Sequence, residues 1–367
     1  MKAQSTFFYI YCLSCLSILY SCEESGTPID PRQGLINPSP EELNEFFLSG
    51  QEEIKGDLIF DSDYSYNFSG FHSLSNLKSI TGSFFLSIWV DSLNGLENLE
   101  TIGNTLYIHQ TNLKNLDELD NLTAIGYLDM TFNDSLMNID GLSSLESIDD
   151  GIYIWSNPLL QNIDGLSNVV DLGGDIIVGG SSISSLDGLK NLYSVEGDLS
   201  ISSCYTLKNL EGLENLANIG GSLRLSVLED VTDLDGLNML KTVGGDVDLI
   251  LMFRIKSLKG LEGLDSIGGI LRIFNNYDIR NLEGVDSLKT ISGDLWISRN
   301  DRLFNLNGLE SIHSIGGDIK IHENERMSDF CGIRPYLLTG SFNNIFNVYE
   351  NKYNPSLQEI IDGSCSQ

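Results

Sequence analysis

The chain has 367 residues, 41% of them hydrophobic, and carries 52 acidic against 21 basic side chains, for a net charge of −31. That charge excludes nucleic acid, whose binding needs clustered Lys and Arg to displace counterions, and it repels polyanionic substrates such as polyuronates. It suits a highly soluble protein living outside the cytoplasm.

The first segment is a leader rather than part of the fold. Lys2 supplies a short positive region, and Phe7 to Tyr20 an apolar stretch too short to span a bilayer. The stretch ends Leu19-Tyr20-Ser21-Cys22, which resembles a bacterial lipoprotein lipobox, with Tyr20 a departure from the usual small or branched residue. Glu23 and Glu24 resemble the acidic export tag of bacterial surface lipoproteins. The resemblance implies a signal peptide over residues 1–21 and lipidation at Cys22. It also implies an outer-membrane protein anchored by its lipid and exposed at the cell surface, with the periplasmic face as the alternative, since several acyl chains hold where one does not. An ordinary signal peptide cut nearby, with Cys22 left free, is the alternative.

Residues 22–38, with Pro28, Pro31 and Pro38 among Glu, Ser and Gly, read as a flexible tether. Residues 39–55 read as an N-terminal cap. Ser39 is an N-cap followed by Pro40 and two acids, which predicts a short helix over 40–48 with Phe46, Phe47 and Leu48 facing the first coil.

From 56 to 330 the chain repeats every 22 to 26 residues. One copy runs Leu210-Glu211-Gly212-Leu213, then Leu216, Ile219-Gly220-Gly221 and Leu223-Arg224-Leu225. Periods of this size mean a solenoid, because one copy cannot bury its own apolar face and must stack on neighbours. Each copy holds an apolar–x–apolar triplet, which predicts a strand with one face in and one face out. The triplets start at Leu58, Phe84, Leu106, Leu128, Ile152, Ile176, Leu199, Leu223, Val247, Leu271, Leu295 and Ile319, with Phe342 the candidate start of a thirteenth. The predicted fold class is therefore all-β, a parallel solenoid of about 12 coils. Glycine pairs such as 173–174 and 220–221 mark corners where a side chain would clash or φ turns positive.

Two polar columns follow from the same register. Asn133, Asn157, Asn276, Asn300 and Asn324 each fall five residues after a triplet start, where stacked amides satisfy a buried bend. Ser181, Cys204, Leu228 and Met252 interrupt that column. Asp57, Asp175, Asp198, Asp246, Asp294 and Asp318 precede strands. Each either bonds the backbone at its corner or, repelled by its neighbour, shares a cation with it. Asp61 and Asp63 echo the start of a calcium loop, but Tyr66 stands where that loop needs Gly.

Residues 331–367 form a C-terminal cap. Cys331 and Cys365 flank it, and an exported chain meets an oxidising compartment, so the two are paired. Cys204 sits at an inward position and reads as a small buried hydrophobe.

The repeat Leu-x-Gly-Leu-x-x-Leu-x-x-Ile-x-Gly-x-Leu-x-Ile, with Asn after the strand, resembles the receptor L domain. This is the leucine-rich-repeat-like right-handed β-helix of insulin- and epidermal-growth-factor-receptor ectodomains, also found in fungal cell-wall proteins and bacterial surface lipoproteins. The resemblance covers residues 56–365. Phe330-Cys331-Gly332-Ile333 with Asn351, Tyr353, Asn354, Pro355 and Cys365 resembles the disulfide-closed cap of bacterial members. The resemblance implies a right-handed coil whose sheet face takes ligands. This chain departs from the receptor members in having more coils and few cysteines.

No catalytic motif is present: no His-Glu-x-x-His, no Gly-x-Ser-x-Gly, no phosphate-cradling loop before a Lys. The reading is therefore not an enzyme, with no cofactor, no catalytic residue and no metal site. The outward strand positions are where binding residues gather. Tyr107, His109, Tyr127, Asp129, Tyr153 and Trp155 share one face, and aromatics with polar tips beside a carboxylate suit sugar stacking or a protein hot spot. A second, smaller patch is Arg272, Phe274 and Trp296. For both, the plain alternative is aromatic cover for exposed sheet. The expectation is a monomeric binding lipoprotein that takes a protein or carbohydrate ligand and no nucleic acid. A structural or adhesive envelope protein is the alternative, and a cation-dependent polysaccharide lyase a more remote one.

Overall fold

Strict period-two alternation gives each triplet one buried and one solvent-facing edge, and the coils stack so that these edges line up. A computed structural model describes residues 34–61 and 70–367. The leader, Cys22, most of the tether, and Asp63 with Tyr66 lie outside the described residues. Residues 34–367 form one compact unit.

The triplets fall into one parallel register. Leu58 pairs with Phe84, and Phe84 with Leu106. Leu128, Ile152, Ile176 and Leu199 follow. Leu223, Val247, Leu271, Leu295 and Ile319 complete the run. The next strand starts at Phe346 instead of Phe342. The reason is local: Phe346-x-Val348 alternates, whereas Phe342 is followed by two Asn, and its ring is buried against Tyr336 and Phe346. At the other end, Gly34–Ile36, within the stretch whose composition reads as tether, pairs with residues 57–59.

A second column of short strands comes from the Ile of the repeat. Ile54, Ile80, Ile102, Ile125, Ile148 and Leu172 pair in order. A separate six-stranded sheet continues it from Ser194–Val195 to Ser314–Ile315. Between the two columns runs one apolar core; Leu213, Leu216, Ile219, Leu223 and Leu225 of a single coil are all buried in it. Burying five such side chains in each coil, at about 2 kcal/mol apiece, is what makes stacking obligatory.

From the coil of Leu106 onward, each coil turns away from the sheet at the fifth residue counted from its triplet start, and this residue is left-handed whatever its side chain, whereas Ile88 of the preceding coil is not. Gln110, Phe132, Ser156, Ser203, Val227, Leu251, Asn275, Arg299, Glu323 and Glu350 all have φ between 52° and 58°. Except at Glu350 in the last coil, their N–H groups still donate to the neighbouring coil, as Val227 does to Ile250 O at 3.0 Å. The Gly pairs do not have positive φ; their corners are close approaches, where a Cβ at Gly220 would strike the carbonyl of Glu196.

The Asn column forms and carries the turn. Asn300 donates to Ile273 O at 2.9 Å and accepts from Asn276 N at 2.9 Å, and Asn324 repeats the pattern one coil on. Thr111 and Asn351 extend the column at its ends. Ser181 does not interrupt it, because its hydroxyl accepts from Asn157 N at 3.2 Å. Cys204, Leu228 and Met252 are the true gap, all three fully buried, and only the backbone N–H of Met252 donates to the next Asn. Burial pushes the Cys204 thiol up to about 12, which leaves it an inert hydrophobe.

The helix is Pro40–Ser49, with a reciprocal capping box between Ser39 and Glu42. Leu43 and Phe46 are its buried residues. Phe47 and Leu48 are exposed, Leu48 by 73%, contrary to the expectation, because helical spacing aligns i with i+3 rather than with i+1. At the far end Cys331 and Cys365 form a disulfide, Cα–Cα 5.0 Å. Phe330 N donates to Cys365 O at 2.7 Å, and the Arg334 guanidinium donates to the carbonyls of Ile360 and Ile361.

Candidate functional site

All six residues of the first cluster lie on the outer face of the sheet, in three columns. Tyr107, Asp129 and Tyr153 are consecutive rungs at the second strand position. His109, Thr131 and Trp155 are the rungs two residues on. Tyr127 lies on the other side, paired with Gly151. The six are half-buried rather than fully exposed.

Packing orders the rings. Tyr107 and His109 stack with centroids 5.5 Å apart and planes 17° apart. Tyr153 and Trp155 are nearly parallel as well, at 14° and 6.4 Å. Trp155 pairs with Gly179 on the next rung, and a Cβ there would collide with the indole ring. The missing side chain leaves room for the benzo edge of the indole, Cζ3 and Cε3, against the neighbouring strand. Glycine inside a strand often marks such an approach.

Three further residues belong to the cluster. Phe85, one rung before Tyr107, sits 5.3 Å from its ring. Thr131 Oγ1 is 2.7 Å from His109 Nδ1. The left-handed Phe132 turns its ring edge-on to His109 at 5.5 Å. Register alone could have found Phe85 and Thr131, which are outward positions on adjoining rungs. Phe132 depends on the left-handed turn, for which its sequence carries no sign.

Asp129 is the chemical centre. Flanked by two tyrosines, its Oδ1 is buried and has no hydrogen-bond partner. Burial pushes the carboxyl up to about 7, with the Thr131 hydroxyl pulling the other way. Tyr107 is pushed up to about 12, by burial first and by the Asp129 charge second. Burial holds His109 below its ordinary value, with Asp61 acting in the opposite sense. At neutral pH the cluster thus presents a neutral imidazole, the neutral phenol of Tyr107 and a carboxyl poised between acid and anion. Orphaned buried acceptors are uncommon and costly. A ligand N–H or O–H reaching Oδ1 would relieve this one.

The second patch is built differently, because its polar groups satisfy one another. Asp248, only 1% exposed, accepts from Arg272 at 2.8 Å and from Arg224 at 3.3 Å. Arg272 lies 5.0 Å over the Trp296 ring, and Trp296 Nε1 donates to Ser298 at 3.1 Å. Phe274 is covered by Arg299 at 5.6 Å.

The Asp column is likewise occupied. Asp57 accepts from Ser83 N, Asp175 from Asp198 N, Asp198 from Ser222 N, Asp246 from Ile270 N and Asp294 from Asp318 N, all at 2.7–2.8 Å. Each carboxylate pins the next coil's backbone, and Lys320 bridges Asp294 and Asp318. No group of three or more potential metal ligands occurs among the described residues.

No family model and no curated protein matches the chain. Among solved structures it is similar to an internalin from Listeria monocytogenes, at 17% identity over 85% of this chain and 76% of that one, TM-score 0.45. It is also similar to a leucine-rich-repeat protein from Leptospira interrogans, at 15% identity over 86% and 90%, TM-score 0.36. A third likeness is to TLR13 in its complex with ssRNA13, at 15% identity over 81% of this chain and 62% of that one, TM-score 0.27. Likeness at these scores carries no argument. The register itself defines the class, a parallel-strand solenoid with a leucine-rich-repeat-like coil.

Proposed function

We propose that the chain is a non-enzymatic binding protein whose sheet face around Asp129 takes a carbohydrate or protein ligand through a ligand hydrogen-bond donor. The observation that carries this reading is the buried, unpartnered Oδ1 of Asp129 between Tyr107 and Tyr153. The half-buried Trp155, its ring near-parallel to that of Tyr153, adds a stacking group suited to a sugar ring or an aromatic side chain. The helix Pro40–Ser49 and the disulfide-closed segment 331–367 serve as caps that cover the open ends of the coil. With the lipobox, the reading is a lipid-anchored surface protein acting as a monomer.

A glycan array and a surface pull-down with the full chain test the binding reading. Ligand capture should fall at least about tenfold for both Asp129→Asn and Trp155→Ala. Capture unchanged in both variants would remove this face as the site. Separately, Cys22→Ala should abolish fatty-acid labelling and membrane extraction; persistent labelling would end the anchor assignment.

A further inference from the structure

On another side of the coil, in its C-terminal third, an open depression of about 700 Å³ is lined by Arg280, Arg302, Phe304, Arg326, Ser328 and Lys352. Acids outnumber bases 52 to 21 in this chain, yet every ionisable lining residue is basic. Stacking brings them together. Phe304 N donates to Arg280 O, and Ser328 N to Phe304 O, both at 3.1 Å, so these three occupy successive rungs. Tyr353 N donates to Met327 O at 3.0 Å, which carries Lys352 alongside Arg326.

Only Arg302 is tied down. Its Nη1 reaches Asp278 Oδ1 at 2.6 Å, and its guanidinium lies 4.7 Å over the Tyr277 ring. Arg280, Arg326 and Lys352 are exposed and make no ion pair among the described residues. On the sheet face, by contrast, Arg224, Arg272, Arg299 and Lys320 each sit against a carboxylate. Three uncompensated cations around one hollow repel each other and form a local positive site. The surrounding negative field fades over about 8 Å at physiological salt, so at contact the local cluster decides.

We propose that this depression binds a compact phosphate-bearing ligand. Arginine guanidinium groups match phosphate oxygens two at a time, and a lysine adds a point charge. The half-exposed Phe304 ring offers a flat floor for a sugar or other ring attached to the phosphate. The hollow has the volume of a small-molecule site, and the overall charge of the chain opposes any long polyanion. The phosphomonoester can come from a soluble sugar phosphate or from a lipid headgroup.

Calorimetric titration of the full chain with glucose 6-phosphate, and flotation with phosphatidylcholine vesicles carrying phosphatidic acid, distinguish the two sources. Unphosphorylated glucose and pure phosphatidylcholine vesicles are the controls. The expected result is binding of at least one phosphorylated probe, weakened about tenfold or more in Arg280→Ala/Arg326→Ala. Both positions are exposed, so the melting temperature should not move, and Trp155→Ala should bind the probe as wild type does. No binding of either probe, or equal binding by the double variant, overturns the proposal.

Discussion

Asp129 and Asp248 occupy the same strand position on the same sheet, more than a hundred residues apart, and their surroundings are opposite. Asp248 has Arg224 on one rung and Arg272 on the next, and both of its oxygens are bonded. Asp129 has tyrosines on both rungs and one buried oxygen with no partner. A carboxylate on a stacked sheet is therefore defined by residues one full coil away in sequence. Where those are arginines the carboxylate closes a structural network; where they are aromatic it stays chemically open.

The comparison breaks most visibly at Asp248. Removing both partners, in Arg224→Ala/Arg272→Ala, leaves a buried uncompensated charge and should cost about 3–5 kcal/mol in denaturant unfolding at pH 7. A loss under about 1 kcal/mol would mean that the pair of ion bonds is ornamental.

Asp129→Asn should do the reverse and stabilise the fold, with a pH dependence whose sign is fixed. The folded carboxyl titrates near 7 against about 3.8 when unfolded. Between those values the unfolded chain has released its proton and the folded chain still holds it, so wild-type stability falls as pH rises through this window. The amide variant escapes that loss. Its advantage should be near zero at pH 4 and grow to about 4 kcal/mol by pH 8, read from paired melts. An advantage that shrinks with rising pH would contradict the shift.

Trp155→Ala should cost about 1–2 kcal/mol of stability, because its ring is seated on Gly179 rather than standing free in solvent. A loss near that of a core aromatic, about 3–5 kcal/mol, would mean the ring has no outward face to offer. The smallest effect belongs to Arg254→Ala, which removes an exposed pair with Asp230 and should stay within about 0.5 kcal/mol of wild type.

The register was legible because alternation in Leu223-Arg224-Leu225 and its copies ties each residue to one face, and a one-residue slip would expose the whole apolar set. The Asn column was legible for the same reason: Asn300 recurs at a fixed offset. The left-handed column was not, since Val227 and Leu251 have no local preference for that conformation and adopt it under the stacked coil's hydrogen bonds. Within the site, the shared face of Tyr107, Asp129 and Trp155 followed from spacing. The half-burial of Trp155 and the desolvation of Asp129 did not, because both depend on ring orientations and on the bare Gly179. The pairing of Arg224 with Asp248 needed the rungs matched across 24 residues and the side chains in contact.

The most direct test is the titration of the Asp129 side-chain carboxyl carbon by NMR in the free full chain, resolved by comparison with Asp129→Asn. A buried carboxyl between Tyr107 and Tyr153, with one oxygen left without a hydrogen-bond partner, predicts a midpoint at about 7. A midpoint at the ordinary carboxylate value near 3.8 would show Asp129 solvated or already bonded, and the open site would not exist.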